Sequence, residues 1–289
     1  MLKWLFEFPI KANFDNSIID NFIRTWKNAW RGFFDAIKKF LNEMVWGIQD
    51  LLSYIPWLVF FIVVFFVGFK LEKKLRKGIL YVLLLAFVAY FGLWDLMLLT
   101  LAIVLAAVII SCLFGFPLGI LVSRSERLNK IVRPILDTMQ TMPIFVYLIP
   151  SIIFFGLGEA PAVIATTIYA IVPLIRLTNH GIRMVNEEVV EASRAFGATE
   201  LQTLIKVQIP QALPTIMTGL NQTLMMAMSM VVTTSMIGAN GLGMEVLLGV
   251  QRMELGRGLI AGIAVVILAI LLDRFTQNLV KKEEGVINE

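Results

Sequence analysis

The stretch Asn186–Pro210, NEEVVEASRAFGATELQTLIKVQIP, decides how this chain is read, because it is charged and helix-forming between long apolar segments. It opens on Asn186 followed by Glu187 and Glu188, a capping side chain with acids at the positive end of a helix. Gly197 breaks that helix, and Thr199 with Gln202 stands at capping-box spacing to restart it. Pro210 closes the stretch, with Pro214 close behind. The pattern predicts two short helices joined at a glycine hinge, lying in water beside a membrane. Such a knob suits a groove on another protein, while the plainer reading is an ordinary cytoplasmic loop. These residues alone leave both open.

The surrounding composition sets the class. Of 289 residues, 58% are hydrophobic, and the mean hydropathy is +0.81. Several apolar runs approach the ~20 residues that cross a bilayer as a helix. The short alternating segments of a β-barrel are missing, so the expected class is an all-α membrane protein with several spans. The net charge of +4 implies no nucleic-acid partner, since the basic residues cluster between apolar runs, where positive-inside sorting places them. A single cysteine, Cys112, excludes an internal disulfide and reads as a packing residue. His180 has no Cys or acidic neighbour at ligand spacing, so no metal site is expected. No nucleophile–base constellation emerges either, so no catalytic residue is assigned.

Along the chain, residues 1–50 mix charge with Trp and Phe. Met1–Ile10 contains Glu7 and Pro9 and has no long apolar core, so no cleavable signal is expected. Between Asn28 and Leu52, Phe33, Ile37, Phe40, Leu41, Met44 and Ile48 recur at helical spacing opposite Lys38, Lys39, Glu43 and Asp50. An amphipathic helix in the membrane interface fits this pattern, and so does a helix packed on the protein's own flank.

Spans are expected over residues 51–69, 79–94, 96–122, 134–157, 162–175, 213–237 and 259–272, about seven in all. Lys70–Lys77 carries five basic residues and one acid, marking a cytoplasmic loop or a contact with anionic lipid. Gly115, Pro117 and Gly119 should loosen the inner end of the third span, and Pro143 and Pro150 should break the fourth. Gly238, Gly241 and Gly243 read as a glycine-rich loop before the last span, and Lys281–Glu284 as a tail. Loop charges place the N-terminus outside and the C-terminus inside. The seven basic residues of segment 1–50 strain that orientation, although six acids offset them in net charge.

Polar residues inside spans are costly, so their alignment carries information. In the 213–237 segment, Thr215, Thr218, Gln222, Met226, Ser229 and Thr233 recur every three or four residues, with Met225 and Thr234 beside them. This stripe reads either as the wall of a translocation path or as helix–helix packing, where small polar residues are also common. Met142, Tyr147, Thr167 and Tyr169 are weaker path candidates; such tyrosines attract quaternary ammonium groups through cation–π contact. No G-x-x-x-x-G-K-[ST] loop is present, so ATP is not bound here by that route. No large soluble domain follows Leu272, which assigns substrate reception to a separate polypeptide.

Glu191-Ala192-Ser193, then Gly197, then Val207-Gln208-Ile209-Pro210 resemble the E-A-A-x3-G-x9-I-x-L-P signature of permease subunits of bacterial ABC importers. Ser193, Val207 and Ile209 are mild departures from it. The likeness runs from about residue 96 to 272 and is nearest to the permeases for glycine betaine, proline betaine and choline. It implies a type I ABC importer transmembrane fold: an interfacial segment 1–50, peripheral spans 51–95, a core permease domain 96–273 and a cytoplasmic tail 274–289. It makes 186–210 the coupling helix, with Glu188, Glu191, Ala192, Ser193, Gly197, Ala198 and Pro210 meeting the ATPase. The resemblance further implies two copies of the ATPase subunit, which bind ATP and Mg, an external substrate-binding protein, a second copy of this permease, and no cofactor in this chain. The importers it resembles respond to osmotic stress, which would make Lys70–Lys77 an ionic-strength sensor as an alternative to a topology signal. Import of another amine or an amino acid such as methionine remains an alternative substrate reading. An ion-driven secondary transporter would call for inverted repeats and mid-membrane ionisable groups. A membrane scaffold or lipid-directed enzyme would call for a catalytic cluster at the interface.

Overall fold

The long apolar runs become helices because a bilayer leaves every backbone N–H and C=O to be satisfied within its own segment. The computed structural model describes residues 16–72 and 74–287, and every regular element among them is helical. In order these are α1 (Asn16–Ala29), α2 (Arg31–Ser53), α3 (Trp57–Glu72), α4 (Leu75–Tyr90), α5 (Trp94–Arg124), α6 (Glu126–Thr141), α7 (Phe145–Phe155) and α8 (Glu159–Arg183). Then follow α9 (Glu187–Ala195), α10 (Glu200–Thr203), a π-helical turn (Leu204–Gln208), α11 (Ile209–Ser229), α12 (Val231–Ser235), α13 (Leu242–Gln251) and α14 (Leu255–Ile287). The reading of Met1–Ile10 lies outside the described residues.

The centre is the packing of α5, α8 and α11. Without a hydrophobic force between helices in lipid, close approach of small residues supplies the contact energy. Ala102, Ala106 and Ala107 of α5 and Ala160, Ala162 and Ala165 of α8 are fully buried. A β-carbon on Gly119 would lie 2.6 Å from the Thr178 Cβ, and one on Gly219 would lie 3.0 Å from the Leu177 Cβ. The expectation that Gly115, Pro117 and Gly119 loosen the third span is therefore corrected. Helix α5 runs unbroken through Pro117, and its two glycines are contact points with α8. Around this centre, α14 packs on α11, and α3–α4 join through a second apolar cluster that includes Val64, Tyr81, Leu85, Met97 and Leu268.

The segment read as an amphipathic helix is α2, and a break at Trp30 separates it from α1. Leu41 and Val45 of α2 are buried against α5 and α8, with Ile37, Met44 and Ile48 partly buried beside them, while Phe33 and Phe40 stay exposed. Packing on the protein's flank thus takes one edge of the stripe and leaves the other free. Helix α2 then bends 86° into α3, so the first expected span starts at Trp57 rather than Leu51. The fourth expected span also bends, by 97° between α6 and α7. Pro143 lies in that bend, whereas Pro150 sits inside α7 without breaking it. Part of the expected glycine-rich loop is helical, since Gly243 opens α13. The expected tail continues α14 as a helix to Ile287.

Among the described residues three helices are long and apolar enough to cross a membrane: α5, α8 and the part of α14 from Leu255 to Gln277, with mean hydropathies over 18 residues of 2.9, 1.7 and 2.5. Counting each bent pair as one span gives up to five.

Candidate coupling site and transport path

Local sequence alone builds the first half of the knob. The Asn186 side chain accepts the Glu188 N–H at 2.9 Å and caps α9, whose first turn carries Glu187 and Glu188. Helix α9 ends in a complete Schellman motif: Ala198 N–H donates to Ser193 O (3.1 Å) and Gly197 N–H to Arg194 O (2.9 Å). That motif needs a left-handed residue, and Gly197 supplies it with φ +86°. Thr199 and Gln202 then form the reciprocal capping box that starts α10. The helix does not stop at Pro210, as the sequence suggests. Widening to a π turn, with Ile209 N–H donating to Leu204 O, lets it run into α11 with Pro210 near its start.

The two arms of the knob are tied together. The Ser193 and Thr203 hydroxyls lie 3.1 Å apart, and Arg194 pairs with Glu200 at 3.0 Å. Thr203 and Leu204 are buried, which anchors the π turn on the bundle. Val190 and Ile209 pack partly on the bundle, and most of the rest faces out. Helix α9 buries no residue, and Glu188, Glu191, Ala192, Gly197 and Pro210 are exposed, with Ser193 and Ala198 half-buried. At the tip the Phe196 ring is 92% exposed, with Met184, Leu201 and Ile205 also bare nearby. This ring stands open to a partner surface. Beneath the knob a cavity of about 510 Å³ is lined by Arg124, Arg183, Arg194, Glu187, Glu191 and Glu200.

A polar ladder that sequence reasoning missed joins this end of α8 to α6. Arg183 Nη1 donates to Glu126 Oε2 at 2.6 Å, and Arg183 Nε to Asn179 Oδ1 at 3.0 Å. Asn179 Nδ2 donates in turn to Asn129 Oδ1 at 3.0 Å, and Arg176 pairs with Asp137. The Arg183 hydrogen bond and charge hold the Glu126 carboxyl below its ordinary range. Separations of 39 to 57 residues between α6 and α8 hide such pairs from any local pattern.

The path candidates fall into separate groups. Thr218, Gln222, Met225 and Ser229 share one exposed face of α11. Met226 turns away from that face and packs against the core beside α14. Thr233 is half-buried on α12, beyond the break at Met230. The Tyr147 and Tyr169 rings meet edge-to-face at 5.9 Å, with Met142 packed in the same cluster. The Tyr147 hydroxyl donates to Met139 O. Thr167 is buried and donates to Ala107 O at 3.4 Å, facing α5. No group of three or more His, Cys, Asp or Glu side chains suited to a metal occurs among the described residues.

The opposite end of the bundle is closed by hydrogen bonds between distant segments. Leu242 N–H donates to Thr100 Oγ1 (2.8 Å), Gly158 N–H to Ile237 O (3.0 Å) and Asn240 Nδ2 to Glu159 Oε1 (2.9 Å). Arg257 grips both Glu245 oxygens, at 2.5 and 3.0 Å, and fixes α13 to the start of α14.

Comparison with known proteins gives this geometry its family. The chain is 46% identical over 270 residues to the glycine betaine transport system permease protein OpuAB of Bacillus subtilis, covering 93% of this chain and 95% of that one. It is 44% identical over 248 residues to the glycine betaine/proline betaine transport system permease protein ProW of Escherichia coli, covering 86% and 70%. Among solved structures, inward-facing conformations of the MetNI methionine ABC transporter share the fold at TM-score 0.57 and 24% identity, covering 64% of this chain and 92% of that one. The fold is that of a type I ABC importer permease, and the protein is a multi-pass component of the cytoplasmic membrane. Residues 115–284 match the binding-protein-dependent transport system inner membrane component family, and the chain belongs to it.

Proposed function

We propose that this chain is the permease subunit of an ATP-driven importer for glycine betaine or a related quaternary amine. The observation that carries the reading is the α9–α10 knob: capped, cross-tied, exposed and bearing the family signature at Glu191, Ala192 and Gly197. Two ATPase subunits take these knobs, contacting Glu188, Glu191, Ala192, Ser193, Gly197, Ala198 and Pro210, and they alone bind ATP and Mg. This chain positions and conducts, and catalyses nothing. Two copies of it form the path, with residues 96–273 as the core domain. The end bearing Glu159 and Asn240 faces outward and receives an external binding protein, and the end bearing α9 faces the cytoplasm. Seven segments cross the membrane in this arrangement, with α3, α4 and α11 among them.

The exposed face of α11, with Thr218, Gln222, Met225 and Ser229, lines the path in this reading. It is uncharged and weakly polar, which gives a zwitterion brief contacts without tight binding. Two tyrosines at 5.9 Å fall short of an aromatic cage, and capture belongs to the binding protein. The names of the 44–46% identical relatives support betaine as the substrate.

Proteoliposomes with the ATPase and ATP inside and loaded binding protein outside test the proposal. Uptake of labelled glycine betaine that requires all three partners is expected. Uptake that persists without the ATPase and follows an ion gradient would overturn it in favour of a secondary transporter.

A further inference from the structure

Three cations, Lys27, Arg31 and Lys38, converge on a cavity of about 360 Å³ where α1 and α2 meet the end of α7. The end of α7 adjoins Gly158 and Glu159, so the cavity lies at the opposite end of the bundle from α9. Its floor is aromatic: Phe34 stacks on Phe154 at 4.9 Å and meets Phe155 edge-on at 5.5 Å, and Trp26 meets Phe154 at 5.5 Å. Arg31 is partnered by Asp35 at 3.6 Å. Lys27 and Lys38 are half-buried and have no ion pair among the described residues. The Lys38 ammonium is drawn over Gly156 at the end of α7, where the helix dipole is negative, while Asp35, the carboxylate that also lines the cavity, is paired with Arg31. Three cations against one carboxylate leave the lining net positive, so the cavity suits an anion.

The rim says which kind. Phe22, Trp26, Trp30 and Phe33 are 71%, 47%, 53% and 56% exposed around the same helices. Aromatic rings interleaved with Lys and Arg on an amphipathic helix mark the headgroup level of a bilayer. A soluble anion would use the cations and leave these rings in water, whereas a lipid uses both. We infer that this crotch seats the phosphate of an anionic phospholipid between Lys27 and Lys38, with its acyl chains lying along the exposed rings. The bound lipid holds α1 and α2 to the end of α7.

Native mass spectrometry of the full chain tests this with phosphatidylglycerol and phosphatidylcholine of identical acyl chains. Phosphatidylglycerol should be retained preferentially, and each of Lys27→Ala and Lys38→Ala should lower its retention about fivefold without changing phosphatidylcholine. Lys39→Ala, which removes a side chain paired with Glu43 at 3.7 Å, should change neither. In a second measurement on the unaltered protein, brominated phosphatidylglycerol should quench tryptophan emission more than brominated phosphatidylcholine. Equal retention or equal quenching of the two lipids would overturn the proposal. Displacement of the lipid by inorganic phosphate alone would assign the cations to a soluble anion. Variants that keep the lipid but lose stimulation by the binding protein would assign them to an acidic protein surface. Either result contradicts a lipid seat.

Discussion

Arg183 and Glu126 meet at 2.6 Å where α8 leaves the bundle, three residues before the Asn186 cap of the knob. Helix α6 buries only Leu136 fully, in a small apolar cluster with Val172 and Ile175 of α8. Its other ties are Arg176–Asp137 and the Asn179–Asn129 bond. Arg183 thereby links α6 to the base of the knob, next to the 97° bend between α6 and α7. An exposed pair of this kind adds little to folding, so its value lies in linkage.

Glu126→Gln keeps the shape and removes the charge. It should leave the melting temperature nearly unchanged while betaine uptake per ATP hydrolysed falls about two- to thirtyfold, the range of coupling mutations. Parallel uptake and hydrolysis measurements in the same vesicles check this.

The latch should also respond to acid. Arg183 lowers the folded-state Glu126 pKa beneath its ordinary 4.5. The contribution is therefore complete above 4.5 and is lost as pH falls through the lower folded value. Spin labels on α6 and α8 should report one constant distance from neutrality down to that point, and a longer one only below it. Glu126→Gln should show the longer distance at every pH.

Gly197 has no atom near its missing side chain but a φ of +86°. Substitution should therefore be governed by backbone strain, about 1–2 kcal/mol for an ordinary side chain. Uptake should decline in the order Gly197→Asn, Gly197→Ala, Gly197→Val, because Asn tolerates the left-handed region and a β-branched residue does not. A steric account would rank the variants by size alone, placing alanine above asparagine.

Phe196→Ala removes a ring that is 92% exposed. Chain stability should stay within about 0.5 kcal/mol, while ATPase affinity weakens by about 2 kcal/mol or more, as for an aromatic anchor. Thermal melting and a binding titration in detergent separate the two effects.

Gly119→Val should cost about 1–3 kcal/mol through overpacking, since its β-carbon would meet Thr178 at 2.6 Å. Gly32→Ala, with nothing within 4 Å, should be silent. Detergent melting of the two variants checks the contrast.

The knob was legible because its determinants are local. Asn186, Gly197, Thr199 and Gln202 act within three or four residues, and each does what its spacing implies. The passage through Pro210 was not legible, because burial of Thr203 and Leu204 stabilises a π turn that no local pattern announces. Helical phase explains Met226: the face that Gln222, Met225 and Ser229 share leaves it pointing into the core. The α2–α3 bend escaped hydropathy, since apolar length reads the same for a straight and a folded-back segment, whereas Pro143 announced the break between α6 and α7. The Arg183–Glu126 ladder and the Lys27–Lys38 cavity join segments distant in sequence, which only the fold brings together.

ATP hydrolysis by the reconstituted complex tests the central claim most directly, comparing the unaltered chain with Gly197→Asp. The account predicts that the unaltered chain carries the ATPase subunit through purification, and that betaine-loaded binding protein raises its hydrolysis. Gly197→Asp should insert normally, as checked by its yield in the membrane, yet lose that stimulation. A chain that never retains an ATPase subunit, or a Gly197→Asp complex stimulated as strongly as the unaltered one, would contradict the coupling role of the knob.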